Sequence, residues 1–272
     1  MCINAWLLLI IVILCVIIYV MYSIKTRPII IDIKSRRCEG FTVPETNINA
    51  AILFACFKIN EHDYAFIEKW HNDIDFYVVV NGDPTEWDNK VIALIGSDRY
   101  LNRENKGYDA GAWKAGIYKW KDQLSGYDLV GLVNNSCIYK VNLHSVFLHA
   151  NDYDLYSLGQ TLVQPFIWFL NAYFIVVSRR LFTSDDFMEY WDKLPNTNGY
   201  VRSATRHEWR FANHFKRLGY KCGVYDITRQ NAFVYAVDKE KHNKYHREFI
   251  KNKTIRKHPD ALNKFNENVP SD

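Results

Sequence analysis

The sequence predicts an α/β fold, in which a mainly parallel sheet is flanked by helices and preceded by a transmembrane helix. The chain has 272 residues, of which 49% are hydrophobic, and this is enough for one substantial core. Short apolar segments typical of buried strands alternate with helical segments. Parallel strands need helical crossovers, so this alternation favours a parallel sheet covered on both faces.

The predicted elements follow one another closely from residue 50. A helix is expected over 61–70, and a second helix begins in the glycine-rich stretch 104–116. A third helix is expected within 206–218, with Trp209, Ala212, Phe215 and Leu218 on one side and Gly219 as its stop. Four apolar segments are predicted to be strands: 50–57, 74–80, 90–96 and 127–133.

The N-terminal segment is the predicted membrane anchor. From Ala5 to Met21 it has no polar side chain apart from the Tyr19 hydroxyl, and about 20 helical residues cross a hydrocarbon core of about 30 Å. A cleaved signal peptide is the alternative, but its apolar part is usually about 7–15 residues and follows a basic start. The start here is uncharged and the apolar run is longer, which favours an uncleaved single-pass anchor over 1–24.

The charges after the anchor predict its orientation. The positive-inside rule places the following domain in the cytosol, because the next residues include Lys25, Arg27, Lys34, Arg36 and Arg37. A lumenal orientation stays open, since the scattered cysteines and the N-x-S/T triplets at Asn134 and Asn252 do not decide the compartment. The predicted division is an anchor over 1–24, a polar stem over 25–49, the main domain over 50–235 and a basic tail over 236–272.

The predicted tail carries eight Lys or Arg against two Glu between positions 239 and 257. Such a run is usually only solvated, but beside an anchor it also fits anionic lipid headgroups or a lipid diphosphate. Nucleic acid is not expected as a partner, because the net charge is only +4 and no nucleic-acid-binding module is recognisable. The membrane is therefore the expected macromolecular partner.

Polar side chains follow the predicted strands at the edge where ligands of parallel sheets bind. Asn81 and Asp83 come directly after one strand, and the stretch that opens the next helix adds Asn105, Gly107 and Asp109. Glycines allow close approach of the backbone to a ligand, and the N–H groups of a helix start favour anionic oxygens. Three more polar residues follow the strand 127–133: Asn134, Asn135 and Ser136.

Structural explanations remain open for these residues. Asn81-Gly82-Asp83 can be a turn, and Asp109 can be a helix N-cap. The chain has neither a GxGxxG nor a GxxxxGK[ST] motif, which argues against a dinucleotide-binding site and a P-loop.

The run N-x-G-x-D-x-G-x-W-K from Asn105 to Lys114, followed by YDLVGLVNNS at 127–136, resembles the rhamnan synthesis protein F family. NAYFIVVS at 171–178 and FMEYW at 187–191 continue the resemblance as a strand and a helix, and it covers roughly residues 50–226. Proteins of that family are assigned as GT-A-like glycosyltransferases of bacterial and viral polysaccharide assembly. The resemblance therefore implies a GT-A-like, Rossmann-like domain that takes a nucleotide-sugar donor.

The resemblance also implies roles in donor binding. Asn81 and Asp83 stand where such enzymes hold the base and the ribose, and Asn105, Gly107 and Asp109 stand where they contact the nucleotide and the sugar.

Asn134, Asn135 and Ser136 stand where many GT-A enzymes carry the D-x-D motif that holds a divalent metal on the donor diphosphate. Asn135 lies at the degenerate metal position, and this triplet lacks the carboxylate oxygens that Mn²⁺ and Mg²⁺ prefer. Mn²⁺ or Mg²⁺ is the cofactor that the resemblance implies, whereas the missing acids favour stabilisation of the leaving group by Lys, Arg or backbone N–H groups.

Two residues are candidates for the acceptor side. The stretch 206–225 resembles the acidic helix of inverting GT-A enzymes, and Glu208 stands at the place of the acid that deprotonates the acceptor hydroxyl. Its structural alternative is a favourable charge at a helix start. Trp168 is a candidate floor for an acceptor sugar, with core packing as its alternative.

Two functions of different class follow. The first is a membrane-anchored glycosyltransferase that moves a hexosyl or deoxyhexosyl group, including a rhamnose-type sugar, from a nucleotide sugar to a glycan or glycolipid acceptor. The alternative is a catalytically inactive, GT-A-shaped glycan-binding or scaffold subunit of a polysaccharide assembly complex. The missing acids at Asn134 and Asn135 favour the second, whereas Asp83, Asp109 and Glu208 favour the first.

Overall fold

A computed structural model of the chain describes residues 13–19, 49–163, 167–195, 207, 209–231, 249–252 and 256. Most of the predicted anchor, stem and basic tail lies outside these described residues. From the predicted anchor, residues 13–19 form a helix with exposed side chains. Among the helices in the described ranges, none combines the length and the apolar composition needed to cross a bilayer.

The described elements alternate between strands and helices along the chain. In order they are β1 (Ala50–Cys56), α1 (Glu61–Trp70), β2 (Asp75–Val80), α2 (Glu86–Ile95), a 3₁₀ helix (Ser97–Arg99), β3 (Tyr100–Asn102), α3 (Tyr108–Lys119), α4 (Lys121–Leu124), β4 (Leu129–Asn134), β5 (Cys137–Tyr139), α5 (Leu143–Ala150), β6 (Leu155–Val163), β7 (Ile167–Leu170), β8 (Phe174–Ser178), α6 (Arg179–Phe182), α7 (Asp185–Lys193), α8 (Trp209–Arg217), β9 (Cys222–Asn231) and β10 (Phe249–Lys251).

The central sheet confirms the predicted mixed α/β architecture. Its strand order is β3-β2-β1-β4-β8-β6-β7, and β9 pairs with β6. The first four strands in this order are all parallel to one another, and β9 is parallel to β6. β8 runs antiparallel to β4 and β6, and β7 runs antiparallel to β6. The parallel half of the sheet is therefore the half that carries the predicted edge residues.

The two faces of the sheet are covered by different helices. Along β1, Ile52 and Phe54 face a core cluster that α1, α2 and α5 complete, whereas Leu53 faces a second cluster built with α3, α7 and α8. This alternation follows from the period of two along a strand. Helices on both faces explain why the parallel strands read as continuously apolar segments.

The predicted strand over 90–96 is wrong, because these residues belong to α2. Thr85 and Asp88 form a capping box at its start, in which the Thr85 N–H donates to Asp88 Oδ2 over 2.6 Å. Val91 and Ile95 lie one turn apart and are both buried, as an amphipathic helix requires. The next parallel strand is instead the three-residue β3. The β-branched residues of KVIALIG favour a strand when they are considered alone, but the capping box that precedes them starts a helix.

The predicted helix within 206–218 is confirmed as α8, with one difference on its buried face. Gly219 has φ +91°, a conformation that glycine adopts without strain, and it stops the helix as expected. Ala212 and Phe215 are buried, but Leu218 lies beyond the helix end and is exposed, and Phe211 is buried instead.

Helix α3 packs unusually close to the sheet at Gly116. A Cβ atom at this position would lie 2.5 Å from Leu53 Cδ1 on β1 and 3.1 Å from Val79 Cγ2 on β2. Since a real Cβ atom does not tolerate a contact of 2.5 Å, only glycine allows this approach. The glycine of "WKAG" therefore sets the distance between α3 and the parallel strands.

We expect Gly116→Ala to lower the free energy of unfolding by about 1–3 kcal/mol, because the methyl group overpacks the helix against Leu53. In a Leu53→Ala background the same substitution should cost much less, since the clashing atoms are gone. Urea unfolding of the four proteins in this cycle measures both values. An equal cost in the two backgrounds would show that the contact with Leu53 is not the cause.

Candidate functional site

Asn81 connects the ends of two parallel strands to the start of α3. Its backbone N–H donates to Cys56 O over 2.8 Å, and its buried side-chain Nδ2 donates to Tyr108 O over 2.9 Å. Both ends of the Asn81 amide are engaged, because Oδ1 accepts from Arg103 Nη1 over 2.7 Å. Asn81 thus fixes the start of α3 relative to the carboxyl edge of β1 and β2.

Arg103 braces the loop that leads into α3, and no sequence pattern marked it. Its backbone N–H donates to Val80 O over 2.9 Å, and its Nη2 donates to Lys106 O over 3.0 Å. Desolvation lowers the pKa of the guanidinium from its usual value. A half-buried cation therefore lies at the carboxyl end of β2.

Backbone geometry at the start of α3 explains the glycines of the motif. Gly107 has φ +82°, and Tyr108 has φ +54°, which is uncommon for a residue other than glycine. A Cβ atom at Gly111 would lie 2.0 Å from Lys106 O. Gly111 therefore lets the loop that holds Arg103 fold back onto the first turn of the helix, in addition to any approach to a ligand.

Asp109 and Asn134 join α3 to the end of β4. Asn134 is buried, and its Nδ2 donates to Asp109 Oδ2 over 2.7 Å. Asn134 Oδ1 accepts from the N–H of Ser136 over 3.1 Å and from its hydroxyl over 2.6 Å. The structure thus brings three predicted site residues into one hydrogen-bonded chain at the carboxyl edge.

Asn135 turns away from this chain toward α1. Its Nδ2 donates to Lys58 O over 2.9 Å and to Asp63 Oδ2 over 3.1 Å. Burial raises the pKa of Asp63 to about 7, although the bonds from Asn135 and from the N–H of Asn60 lower it in part. Asp63 is a buried acid that sequence reading missed, even though Asn60-x-x-Asp63 has the spacing of a capping box.

The backbone carbonyls of the turn after β4 are all bonded. Tyr139 OH donates to Asn134 O over 2.8 Å, while Asn252 donates to Asn135 O from Nδ2 over 2.8 Å and to Ser136 O from its N–H over 2.9 Å. Asn252 continues β10, which pairs antiparallel with β5. Part of the predicted basic tail is therefore built into this site, and both N-x-S/T asparagines have their side chains in hydrogen bonds.

The remaining predicted site residues stand apart from this chain. The Asp83 side chain is 95% exposed, and its closest ionic neighbour is Lys58 Nζ at 4.0 Å. Asn105 is exposed in the loop before α3. Trp168 lies on β7 opposite Leu162, and its side chain lies outside what the structure describes, as does all of Glu208. Within the described ranges, no group of three or more His, Cys, Asp or Glu could hold a metal ion.

His207 shows where the chain runs just before Glu208. The imidazole is buried, its Nδ1 lies 3.1 Å from Tyr190 OH, and burial lowers its pKa to about 3. Its ring packs on Trp113 with the centroids 5.7 Å apart, and Trp113 Nε1 donates to Val133 O over 3.2 Å. The His207 ring is thus linked through Trp113 to Val133, the residue before Asn134.

The fold and the site define an α/β protein whose candidate ligand site lies at the carboxyl ends of parallel strands. The chain matches the model of the family described as rhamnan synthesis protein F over residues 76–261, and it belongs to this family. The family that the motifs at 105–136 predicted is thereby confirmed.

A comparison with curated proteins gave no match. Among solved structures, the chain is similar to one from Desulfovibrio desulfuricans G20 described as a nucleotide-diphospho-sugar transferase, at 12% identity and a TM-score of 0.38 over 80% of this chain and 98% of that one. It is also similar to the mannosyltransferase Ktr4p from S. cerevisiae, at 10% identity and a TM-score of 0.33 over 53% of this chain and 59% of that one. Both TM-scores lie below 0.5, so neither likeness bears on the function.

Asp63 predicts a pH dependence of stability. Its pKa in the folded state, about 7, lies above the value of 3.8 for an ordinary Asp, so the folded protein binds more protons between these values and stability falls as the pH rises through about 7. Each unit of difference corresponds to about 1.4 kcal/mol. Asp63→Asn keeps an acceptor for Asn60 and Asn135 but removes the titration, and we expect it to lose this decline. Urea unfolding at pH 5 and pH 8 tests this, and identical pH profiles for the two proteins would contradict it.

Proposed function

We propose that this protein is a membrane-anchored glycosyltransferase of GT-A type, which moves a hexosyl or deoxyhexosyl group from a nucleotide sugar to a glycan or glycolipid. The proposal rests on membership of the rhamnan synthesis protein F family and on one structural observation. That observation is the bonded pair Asp109 and Asn134, which places a carboxylate at the carboxyl edge of the parallel strands.

The edge offers suitable groups for each part of a nucleotide sugar. Asp83 and Asn105 are exposed beside the ends of β2 and β3, and their side chains are suited to the hydroxyls of a ribose and the polar edge of a base. The Asp109 carboxylate accepts hydrogen bonds, as a sugar hydroxyl requires. Asn134 donates to Asp109 from the other side, and Ser136 in turn donates to Asn134.

Glu208 is the proposed general base. A sugar hydroxyl is a weak nucleophile, and a carboxylate within hydrogen-bond reach takes its proton as the new bond to the anomeric carbon forms. Glu208 follows His207 in the sequence, and His207 packs on Trp113, which is bonded to Val133 at the end of β4. Trp168 is the proposed aromatic contact for the acceptor sugar.

The membrane is part of the proposal. The apolar segment 1–24 serves as a single-pass anchor with the catalytic domain in the cytosol, and the basic tail lies near anionic lipid or a lipid-linked acceptor. Asn252 of the predicted tail is bonded to Asn135, so the tail begins beside the proposed site.

A second candidate is an inactive glycan-binding or scaffold subunit of a polysaccharide assembly complex. It is favoured by the orientation of Asn135, whose amide is bonded to Lys58 O and Asp63 rather than directed to the Asp109 chain. Transfer assays with the full chain, using UDP-, GDP- and dTDP-sugars and a panel of glycan and glycolipid acceptors, separate the two. Transfer supports the enzyme, whereas glycan binding without transfer supports the subunit.

Asp109→Asn tests donor binding. Asn at this position can still accept from Asn134 Nδ2, so we expect the melting temperature to change little, while the affinity for the nucleotide sugar falls about 10-fold because a charged acceptor is lost. Isothermal titration measures the affinity. Asp122→Asn on α4 is the control and should bind the donor normally, because Asp122 is an exposed acid that is not among the candidate site residues. If Asp109→Asn lost stability but kept its affinity for the nucleotide sugar, the role of Asp109 would be purely structural.

Glu208→Gln tests the chemical step. General-base assistance typically contributes about 10²–10⁴ in rate, so we expect kcat to fall by about this factor while the affinity for the donor is unchanged. Glu189→Gln on α7 is the matched control, because Glu189 is exposed and paired with Lys193. Near-normal turnover of Glu208→Gln would remove Glu208 as the base.

A further inference from the structure

We infer that Arg103 is the cation that binds the donor diphosphate, in place of a divalent metal. The inference rests on the proposed function, because it names the group that recognises the donor at the same edge of the sheet. It assigns a role to a residue that neither the motifs nor the family match singled out.

The charge environment of Arg103 differs from that of its neighbour Arg99. Both guanidinium groups are partly buried, and Arg99 forms an ion pair with Asp75. Arg103 has no carboxylate within ion-pair distance among the residues that the structure describes, and its two bonded partners are the uncharged oxygens Asn81 Oδ1 and Lys106 O. The adjacent Glu104 is paired with Lys106 over 2.7 Å. Glu104 attracts the Arg103 cation only at longer range. A desolvated cation that makes no ion pair of its own favours an anion from solution.

The guanidinium keeps donors available for such an anion. It has five N–H groups, of which two are used within the described part of the chain, in the bonds to Asn81 and Lys106, so three remain for a ligand. Those two bonds hold the planar group in one orientation, which suits bidentate binding of phosphate oxygens. A Cβ atom at Gly111 would lie 3.3 Å from Arg103 Nη1, so glycine there also leaves room for the guanidinium.

The residues at the degenerate D-x-D position do not fit a divalent metal. Mn²⁺ and Mg²⁺ prefer several carboxylate oxygens, but this turn supplies amides and a hydroxyl. Asn134 Oδ1 already accepts from Ser136, and the side chain of Asn135 is bonded to Lys58 and Asp63. The carboxylate of Asp109 accepts from Asn134. Another group is therefore needed to supply positive charge for the diphosphate, and among the described residues Arg103 is a half-buried cation at this edge.

Arg103 acts on the leaving group during transfer. The bond from the anomeric carbon to the diphosphate oxygen breaks, and its electron pair remains on that oxygen. The acceptor oxygen forms the new bond to the anomeric carbon, and its proton passes to the carboxylate of Glu208. The guanidinium offsets the negative charge that develops on the departing nucleoside diphosphate, as an oriented donor does at a developing anion.

The test compares the full chain with three variants: Arg103→Gln, Arg103→Lys and the matched control Arg99→Gln. The probes are inorganic pyrophosphate, UDP, GDP and dTDP, the corresponding uncharged nucleosides, and farnesyl diphosphate. Affinities are measured by isothermal titration, with NMR titration for weak ligands, in EDTA and again in Mn²⁺. Melting temperatures are recorded for every variant.

For each of the two ligands, a nucleoside diphosphate and pyrophosphate, we expect the affinity of the wild-type protein to be the same in EDTA as in Mn²⁺. Arg103→Gln should weaken both about 10- to 100-fold and leave the nucleoside nearly unchanged, because a charge-assisted bond to phosphate is lost. Arg103→Lys should recover part of the affinity, since it keeps the charge but not the planar fork. Arg99→Gln should lower the melting temperature and leave all affinities unchanged.

Several outcomes would overturn the inference. Equal weakening of the nucleoside and the diphosphate in Arg103→Gln would show that Arg103 only supports the loop, and loss of wild-type binding in EDTA would show that a metal carries the diphosphate. Preference for farnesyl diphosphate over every nucleoside diphosphate would assign Arg103 to a lipid-linked acceptor instead of the donor.

The same experiment separates this inference from the proposed function. Sugar transfer that persists with normal donor affinity in Arg103→Gln would overturn the role of Arg103 and leave the glycosyltransferase standing. Binding of pyrophosphate through Arg103 without binding of any nucleotide would support an anion site and count against the nucleotide-sugar donor.

Discussion

The close approach of helix α3 to the parallel strands is the constraint on which the candidate site depends. Gly116 allows the helix to touch Leu53 and Val79, and Gly111 allows the preceding loop to fold onto its first turn. With the helix at this distance, Tyr108 O comes within hydrogen-bond reach of Asn81, and the Asp109 carboxylate comes within reach of Asn134. A larger side chain at either glycine would separate these pairs, so packing on one face of the sheet positions polar groups at its edge.

The turn after β4 is held in one conformation by contacts from several parts of the chain. Its three carbonyls accept from Tyr139 and Asn252, and its three side chains are bonded to Asp109, to Asp63 and to one another. Polar groups are costly to bury unpaired, so these bonds favour one conformation of the turn. A turn held in one conformation gives the Asp109 carboxylate a defined position, which recognition of a small polar ligand requires.

Charge is distributed unevenly around this edge. Asp63 is a buried acid whose pKa is raised by burial, and Arg103 is a half-buried cation whose pKa is lowered by desolvation. The two groups lie on different elements, at the start of α1 and after β3. The backbone at this edge is also strained, because Tyr108 adopts a left-handed conformation that a bulky residue rarely takes unless its surroundings impose it. Perturbed groups and strain at one edge are typical of functional sites.

The sequence by itself determined the class of the fold, the family and most of the elements that carry the site. Continuous apolar segments predicted β1, β2 and β4, the spacing of the motif predicted α3, and Gly219 predicted the end of α8, because these signals depend only on local conformation and on burial. The strand predicted at 90–96 was wrong, because its apolar residues fit a helix as well as a strand. The capping box at Thr85 and Asp88 favours the helix, and this signal is also local.

Only the tertiary structure decided which polar residues meet. Asn134 is bonded to Asp109, whereas its neighbour Asn135 is bonded to Asp63, and Asn252 reaches the site from the predicted tail. Arg103 lies half-buried, bonded to Asn81 and Lys106, with no ion pair among the described residues. These contacts join residues far apart in the chain, so local patterns do not specify which side chains become partners.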